Sequence, residues 1–284
     1  MKKKVFLFGL LFSLLLLCGC GVNLTSTVKL NKDFSGTRVM SCTFSSRDFH
    51  SYFKGSKEDL NKLIKESCPD ALTYTSSSSD GNDTYTFYLR FSSLDDYKKK
   101  VRDLLNFSPE ITYEYGDSPF VSGLIYKENF TSKDLMTWLY TALYEGKYID
   151  KDSSSDLWDL KSTEISFLGT TYETKDKINI DEMAYVPLSS IHIDTKTKKS
   201  GKLARVIEFD LPQQTLDQNA GKIRSYFAGN DITWENTSDG KTLCISFDAN
   251  NFSDLAQKTR TVLHSKNSFG TYSSTCSKDN PFTL

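Results

Sequence analysis

The chain has 284 residues, enough for two medium domains or one large one. Hydrophobic residues make up 38% and aromatics 13%, with 15 Tyr and 19 Phe, which argues against disorder and for antiparallel sheets with one wet face. The net charge is −1, or −4 without Lys2, Lys3 and Lys4, which argues against nucleic acid as a partner and against a polybasic grip on anionic lipid.

Lys2-Lys3-Lys4 and the apolar run Val5 to Leu17 have the form of an export signal over residues 1–19. The run is too short for a comfortable membrane span. It closes on Leu17-Cys18-Gly19-Cys20, which resembles the lipobox of bacterial lipoproteins. The resemblance implies cleavage before Cys20 and a diacylglyceryl group on its sulfur, with acyl chains of the palmitate kind. It places the protein on the outer side of the bacterial cell membrane, held there by lipid. Strand-like alternation starts near Leu24, so the tether after Cys20 is very short.

Residues 20–106 follow a strand-strand-helix-strand-strand-helix order. Leu24 to Leu30 is a strand, and Asn31 to Gly36 carries turn residues. The return strand places Met40, Cys42 and Phe44 on one face. Ser56 with Asp59 forms a capping box, followed by the stripe Leu60, Leu63 and Ile64 and a stop at Pro69. A second hairpin turns at Asp80-Gly81 and returns through Tyr85, Phe87, Leu89 and Phe91. Ser93 then caps a helix with the stripe Leu94, Tyr97, Val101 and Leu104. Lipobox, hairpin and helix together, over residues 17–106, are similar to LppM-like lipoprotein ectodomains. That resemblance carries over only the lipid-bearing Cys20.

Residues 107–183 break the pattern. They offer strands at Ile111–Tyr115 and Phe120–Lys127, then a helix opened by Thr131 and Asp134 that runs through Leu135, Trp138, Leu139 and Leu143 to Gly146. A polar loop over 149–156 precedes two short strands about Gly169. From 184 to 265 the first order returns. Ile191 and Ile193 take the place of Val28 and Leu30, and Ile207 and Phe209 that of Cys42 and Phe44. Leu243, Ile245 and Phe247 echo Phe87, Leu89 and Phe91, before a last helix with Leu255 and Val262. Residues 266–284 form a tail without period. The expected fold is α+β: duplicated ββαββα units with antiparallel sheets covered by helices, joined by a middle ββα segment.

No cofactor or metal site is expected. His50, His192 and His264 are isolated, and no two mature cysteines have C-x-x-C spacing. Gly240-Lys241-Thr242 mimics the end of a phosphate loop, but Glu235 stands where its first glycine belongs. There is no G-x-S-x-G elbow. Cys42, Cys68, Cys244 and Cys276 are even in number and permit two disulfides, Cys42 with Cys68 and Cys244 with Cys276 being the local pairing, with free thiols the alternative. The aromatics Trp138, Tyr140 and Tyr144 are the candidate ligand contacts, with core filling as the competing explanation. The expectation is a non-catalytic, membrane-anchored binding or envelope-assembly module whose partner is an envelope protein. The alternatives are a lipoprotein that binds glycan or peptidoglycan of the cell wall, and a hydrolase with convergent carboxylates.

Overall fold

A computed structural model describes residues 22–46, 53–150, 157–229, 231–236 and 240–264. Cys20, Cys276, His50 and the tail 266–284 lie outside the described residues. The fold is α+β, with antiparallel-dominated sheets. It divides into two compact units. The first holds the described residues up to Tyr115 together with Leu124–Glu182. The second holds Gly116–Gly123 and the chain from Met183 onward.

The first unit opens with β1 (Val22–Leu30) and β2 (Gly36–Ser45). Helix α1 (Lys57–Ser67) follows, with the Ser56–Asp59 capping box in place at its start. Then come β3 (Thr73–Ser79), β4 (Asn82–Phe91) and α2 (Leu94–Leu105), capped by Ser93. The hairpin between β3 and β4 turns on Asp80 and Gly81, both at positive φ, as a two-residue turn of this kind requires.

The segment after α2 contributes more than the sequence suggests. It forms β5 (Ile111–Asp117), β6 (Val121–Glu128), a 3-10 turn at Asp134–Met136, α3 (Thr137–Glu145), β7 (Trp158–Phe167), β8 (Thr170–Thr174) and β9 (Asn179–Asp181). Strand β7 begins six residues before the strand expected at Glu164 and pairs in parallel with β1, Val22 opposite Trp158 and Leu30 opposite Phe167. The main sheet of the first unit therefore has six strands in the order β3-β4-β2-β1-β7-β8. Strand β1 is central, and Val22, Leu24, Ser26, Val28 and Leu30 are all buried. One core runs from Met40, Phe87 and Leu89 on the sheet through Leu60, Ile64 and Val101 to Leu139 and Leu143 on α3.

The second unit contains the short β10 (Ala184–Tyr185), then β11 (Ser190–Thr197), β12 (Leu203–Pro212), α4 (Gln213–Tyr226), β13 (Asp231–Asn236), β14 (Gly240–Ala249) and α5 (Phe252–Val262). Its sheet order is β11-β12-β14-β13, the order of β1-β2-β4-β3 in the first unit. Its core is Ile207, Phe209, Leu211, Leu243 and Ile245 beneath Leu216, Ile223, Phe227 and Val262, with Phe120 stacked on Phe209 at 6.0 Å.

Two sets of hydrogen bonds recur in the two units. In the first turn Asn31 N donates to Ser35 O and Phe34 N to Asn31 O; in the second, Lys198 N donates to Lys202 O and Gly201 N to Lys198 O. Phe34 and Gly201 both have positive φ there, 60° and 79°. On α2, Lys100 bonds Asp96 and the Arg90 carbonyl, while on α5 Lys258 bonds Asp254 and the Asp248 carbonyl. The register that follows differs from the one expected. Arg38 faces Val28 and Leu89, and Arg205 faces Thr195 and Phe247. Leu24 faces Cys42 as Ile191 faces Phe209, so Ile191 and Ile193 correspond to Leu24 and Ser26 rather than to Val28 and Leu30. An alternating pattern looks the same after a shift of two or four residues, and only the ladder distinguishes the settings.

Candidate functional site

A groove of about 730 Å³ lies between the C-terminal turns of α1 and α2 and one face of α3. Helix α2 ends at Asn106, whose left-handed φ of 59° turns the chain away and leaves Phe107 exposed at the rim. Leu63, Leu104 and Leu105 supply apolar wall. Asp103, Asp134 and Glu145 supply carboxylates, and among the described residues no lysine or arginine lines the groove. Asp134 is held by Thr131, whose N and Oγ1 donate to it at 2.7 and 2.9 Å.

On α3, Trp138, Thr141, Ala142 and Glu145 line this groove at helical spacing. Trp138 packs edge-on against Phe87 at 5.4 Å. Its Nε1 is shut off from solvent without a hydrogen-bond partner. Tyr140 and Tyr144 stack on one another at 6.4 Å, and Tyr144 is exposed. At 100° per residue they lie on the far side of α3 from Trp138. The three aromatics expected to act together are thus divided: Trp138 belongs to the groove, and the two tyrosines form a separate surface pair.

A second constellation escaped the sequence reading. Arg38 on β2 is 1% exposed, and its Nη1 donates to Glu128 at 2.7 Å and to Tyr97 Oη at 2.6 Å. Its Nη2 donates to Ser132 Oγ at 2.9 Å, and that hydroxyl in turn donates to Ser26 on β1. The other Glu128 oxygen accepts from Tyr97 at 2.7 Å and from Tyr126. Burial opposes the Arg38 charge, but Glu128, with Tyr97 and Tyr126 behind it, more than reverses this and raises the guanidinium pKa. Burial likewise raises the phenols of Tyr97 and Tyr126, so both stay protonated and able to donate. The signal was present in outline, because Arg38 alternates with Met40 and Cys42, and Glu128 with Leu124 and Tyr126, on inward faces. A group so enclosed meets no solute. The network fastens β1, β2, β6 and α2 together.

In the second unit Arg205 takes the matching place. It is half-buried and bonds only hydroxyls, Thr195 at 3.0 Å and Thr259 at 2.8 Å. Among the described residues no carboxylate pairs with it, and burial lowers its pKa.

Cys42 and Cys68 take the second of the two alternatives: both are free thiols, as is Cys244, whose local pairing partner Cys276 lies outside the described residues. Cys42 is fully enclosed in the core, and its burial pushes the thiol well up. Burial also raises Cys68 and Cys244, helped by Asp70 and Glu235 respectively. Such thiols are poor nucleophiles. His192 is exposed on β11, and His264 bonds the Tyr226 carbonyl at 2.7 Å. Among the described residues no group of three or more His, Cys, Asp or Glu is placed to hold a metal, and no helix is long and apolar enough to cross a membrane.

The first described residue, Val22, two positions after Cys20, is 1% exposed, and its N–H donates to Leu157 O at 2.7 Å. No protein-family model and no curated protein matches the chain.

Proposed function

We propose that the chain is a lipid-anchored, extracytoplasmic binding module that presents the groove between α1, α2 and α3 to an envelope ligand and performs no catalysis of its own. The observation that carries the reading is the position of Val22. If Cys20 bears lipid, the buried Val22 follows within about 7 Å of extended chain. The first unit then stands against the membrane surface, with no linker to carry it outward. Anchoring by a short hydrophobic tail would need at least two acyl chains to be stable. Cys20→Ala tests the anchor: the variant should remain an uncut precursor that takes up no fatty-acid label. Labelled, processed protein from that variant would remove the reading.

A glycan ligand is favoured by one feature, an indole beside three carboxylates. Trp138 supplies apolar ring surface, and Asp103, Asp134 and Glu145 accept hydrogen bonds from hydroxyls. Titration with soluble peptidoglycan fragments, followed by tryptophan fluorescence, should show saturable quenching that Trp138→Phe abolishes and Tyr140→Ala leaves unchanged. Quenching that survives Trp138→Phe would place the ligand elsewhere. A hydrolase gains nothing from Glu128, the most enclosed carboxylate, because Arg38, Tyr97 and Tyr126 occupy it.

We also infer that the two units arose from one ββαββα ancestor. The shared strand order, the matching turn bonds and the pair Arg38 and Arg205 support this. On that view the middle segment is an addition that completes the first unit and has no counterpart in the second.

A further inference from the structure

Among the described residues, the second unit has no strand in the place that β7 takes beside β1 in the first. Strand β1 is hydrogen-bonded on both edges, by β2 and by β7, and its inward residues are buried. Its counterpart β11 is an edge strand of its sheet among the described residues, with all eight of its residues exposed. Ile191 and Ile193 share the face of the buried Phe209 and Ile207 opposite them, yet are 51% and 52% exposed. A long edge strand with bare isoleucines is a pairing template. Lys196 on its outer face does not forbid pairing. Lys29 holds the same position in β1 and is paired to Ser166 of β7.

We propose that β11 is a self-association strand, on which a second copy of the chain pairs antiparallel with Ile193 opposite the partner's Ile193. The charges on the outer face select the copy and the register. Along β11 that face runs Ser190, His192, Asp194, Lys196, and the acids Asp210 and Glu208 of β12 stand beside Ser190 and His192. The strand is therefore acidic at one end and basic at the other, and an antiparallel copy reverses it. With the two-fold at Ile193, His192 meets the partner's Asp194, and Lys196 reaches the partner's Ser190 and Asp210. Seven residues, Ser190 to Lys196, then pair, and Ile191 meets the partner's Thr195. A two-fold at Asp194 sets Asp194 against its own copy. One at His192 or Thr195 leaves only five residues paired within β11. Within one chain Asp194 already holds Lys196 at 2.8 Å, an exposed contact that is easily exchanged.

The test uses the full chain in density-matched detergent, by sedimentation from micromolar to sub-millimolar concentration. A two-chain species should appear with rising concentration. Asp194→Lys, at an exposed position that leaves the fold intact, should raise its dissociation constant about tenfold. Under mild oxidant Ile193→Cys should give a disulfide-linked dimer beyond that of the parent chain, and Thr197→Cys should not. A single-chain species at every concentration overturns the proposal. So does a dimer that Asp194→Lys leaves unchanged, or one in which Ile193→Cys fails to cross-link.

Discussion

Replacing Arg38 by Met separates charge from packing in the buried network. Methionine keeps most of the apolar stem and removes the guanidinium. Three hydrogen bonds of 2.6 to 2.9 Å disappear, to Tyr97, Glu128 and Ser132. The larger loss is the charge left behind, because the Glu128 side chain is 0% exposed and keeps only its tyrosine donors. Removing one member of such a pair costs about 3–5 kcal/mol. For a unit of this size that lowers Tm by roughly 6–20 °C. Adding Glu128→Gln removes the orphaned charge and should restore about 2 kcal/mol or more. Arg205→Met is the internal control: it loses two neutral acceptors and strands no carboxylate, so it should cost only about 1 kcal/mol. Urea melts and calorimetry on the three variants decide the matter. An Arg38→Met loss below about 1 kcal/mol, or a double variant no more stable than the single, would refute the reasoning.

Phe91→Ala should cost about 3–5 kcal/mol, whereas Phe247→Ala, at a partly buried ring, should cost roughly half as much; equal losses in urea melts would count against the assigned burial. Hydrogen bonds from Ser56 N, Ser92 N and Asn250 N are the leading cause that holds the carboxyls of Asp59, Asp96 and Asp254 below their ordinary range. A depressed folded pKa gives stability that is complete above the unfolded value of about 3.9 and is lost as pH falls through the folded one. Melting temperature should therefore drop in that acid window, and the drop should shrink in an Asp96→Asn, Asp254→Asn double variant. At the other extreme, the raised phenols of Tyr97 and Tyr126 mean that stability falls once pH passes about 10, where the unfolded chain ionises first; a flat melting profile from pH 9 to about 11 would contradict this. Cys42 should resist a thiol reagent in the folded protein and react at once in urea, and fast labelling of the native chain would contradict its enclosure.

Local features were legible where local chemistry decides them. Ser56 with Asp59, Ser93 with Asp96, and the Asp80-Gly81 turn each act over a few residues, and each stands where expected. The parallel pairing of β1 with β7 joins strands far apart in the chain, and nothing near Trp158 announces it. Alternation shows which side of a strand is apolar, not whether anything covers it. For that reason Leu24 and Ile191 look alike in sequence, yet one is sealed and the other bare. Arg38 and Glu128 were hidden for the same cause, since each charge acquires its meaning only from the other strand. Trp138, Tyr140 and Tyr144 were correctly placed on one helix, but 100° per residue sends them to different sides of it.

The position of Val22 has a mechanical consequence. A pull applied N-terminal to Val22 reaches the described fold through the end of β1. Strand β1 is flanked by β2 and β7, so a force along its axis loads both ladders in shear, and their bonds must fail together. A strand pulled from a sheet edge would instead unzip one bond at a time. A load applied at that end would thus meet a strand held on both sides, and its tension would be shared across the central strands of the sheet.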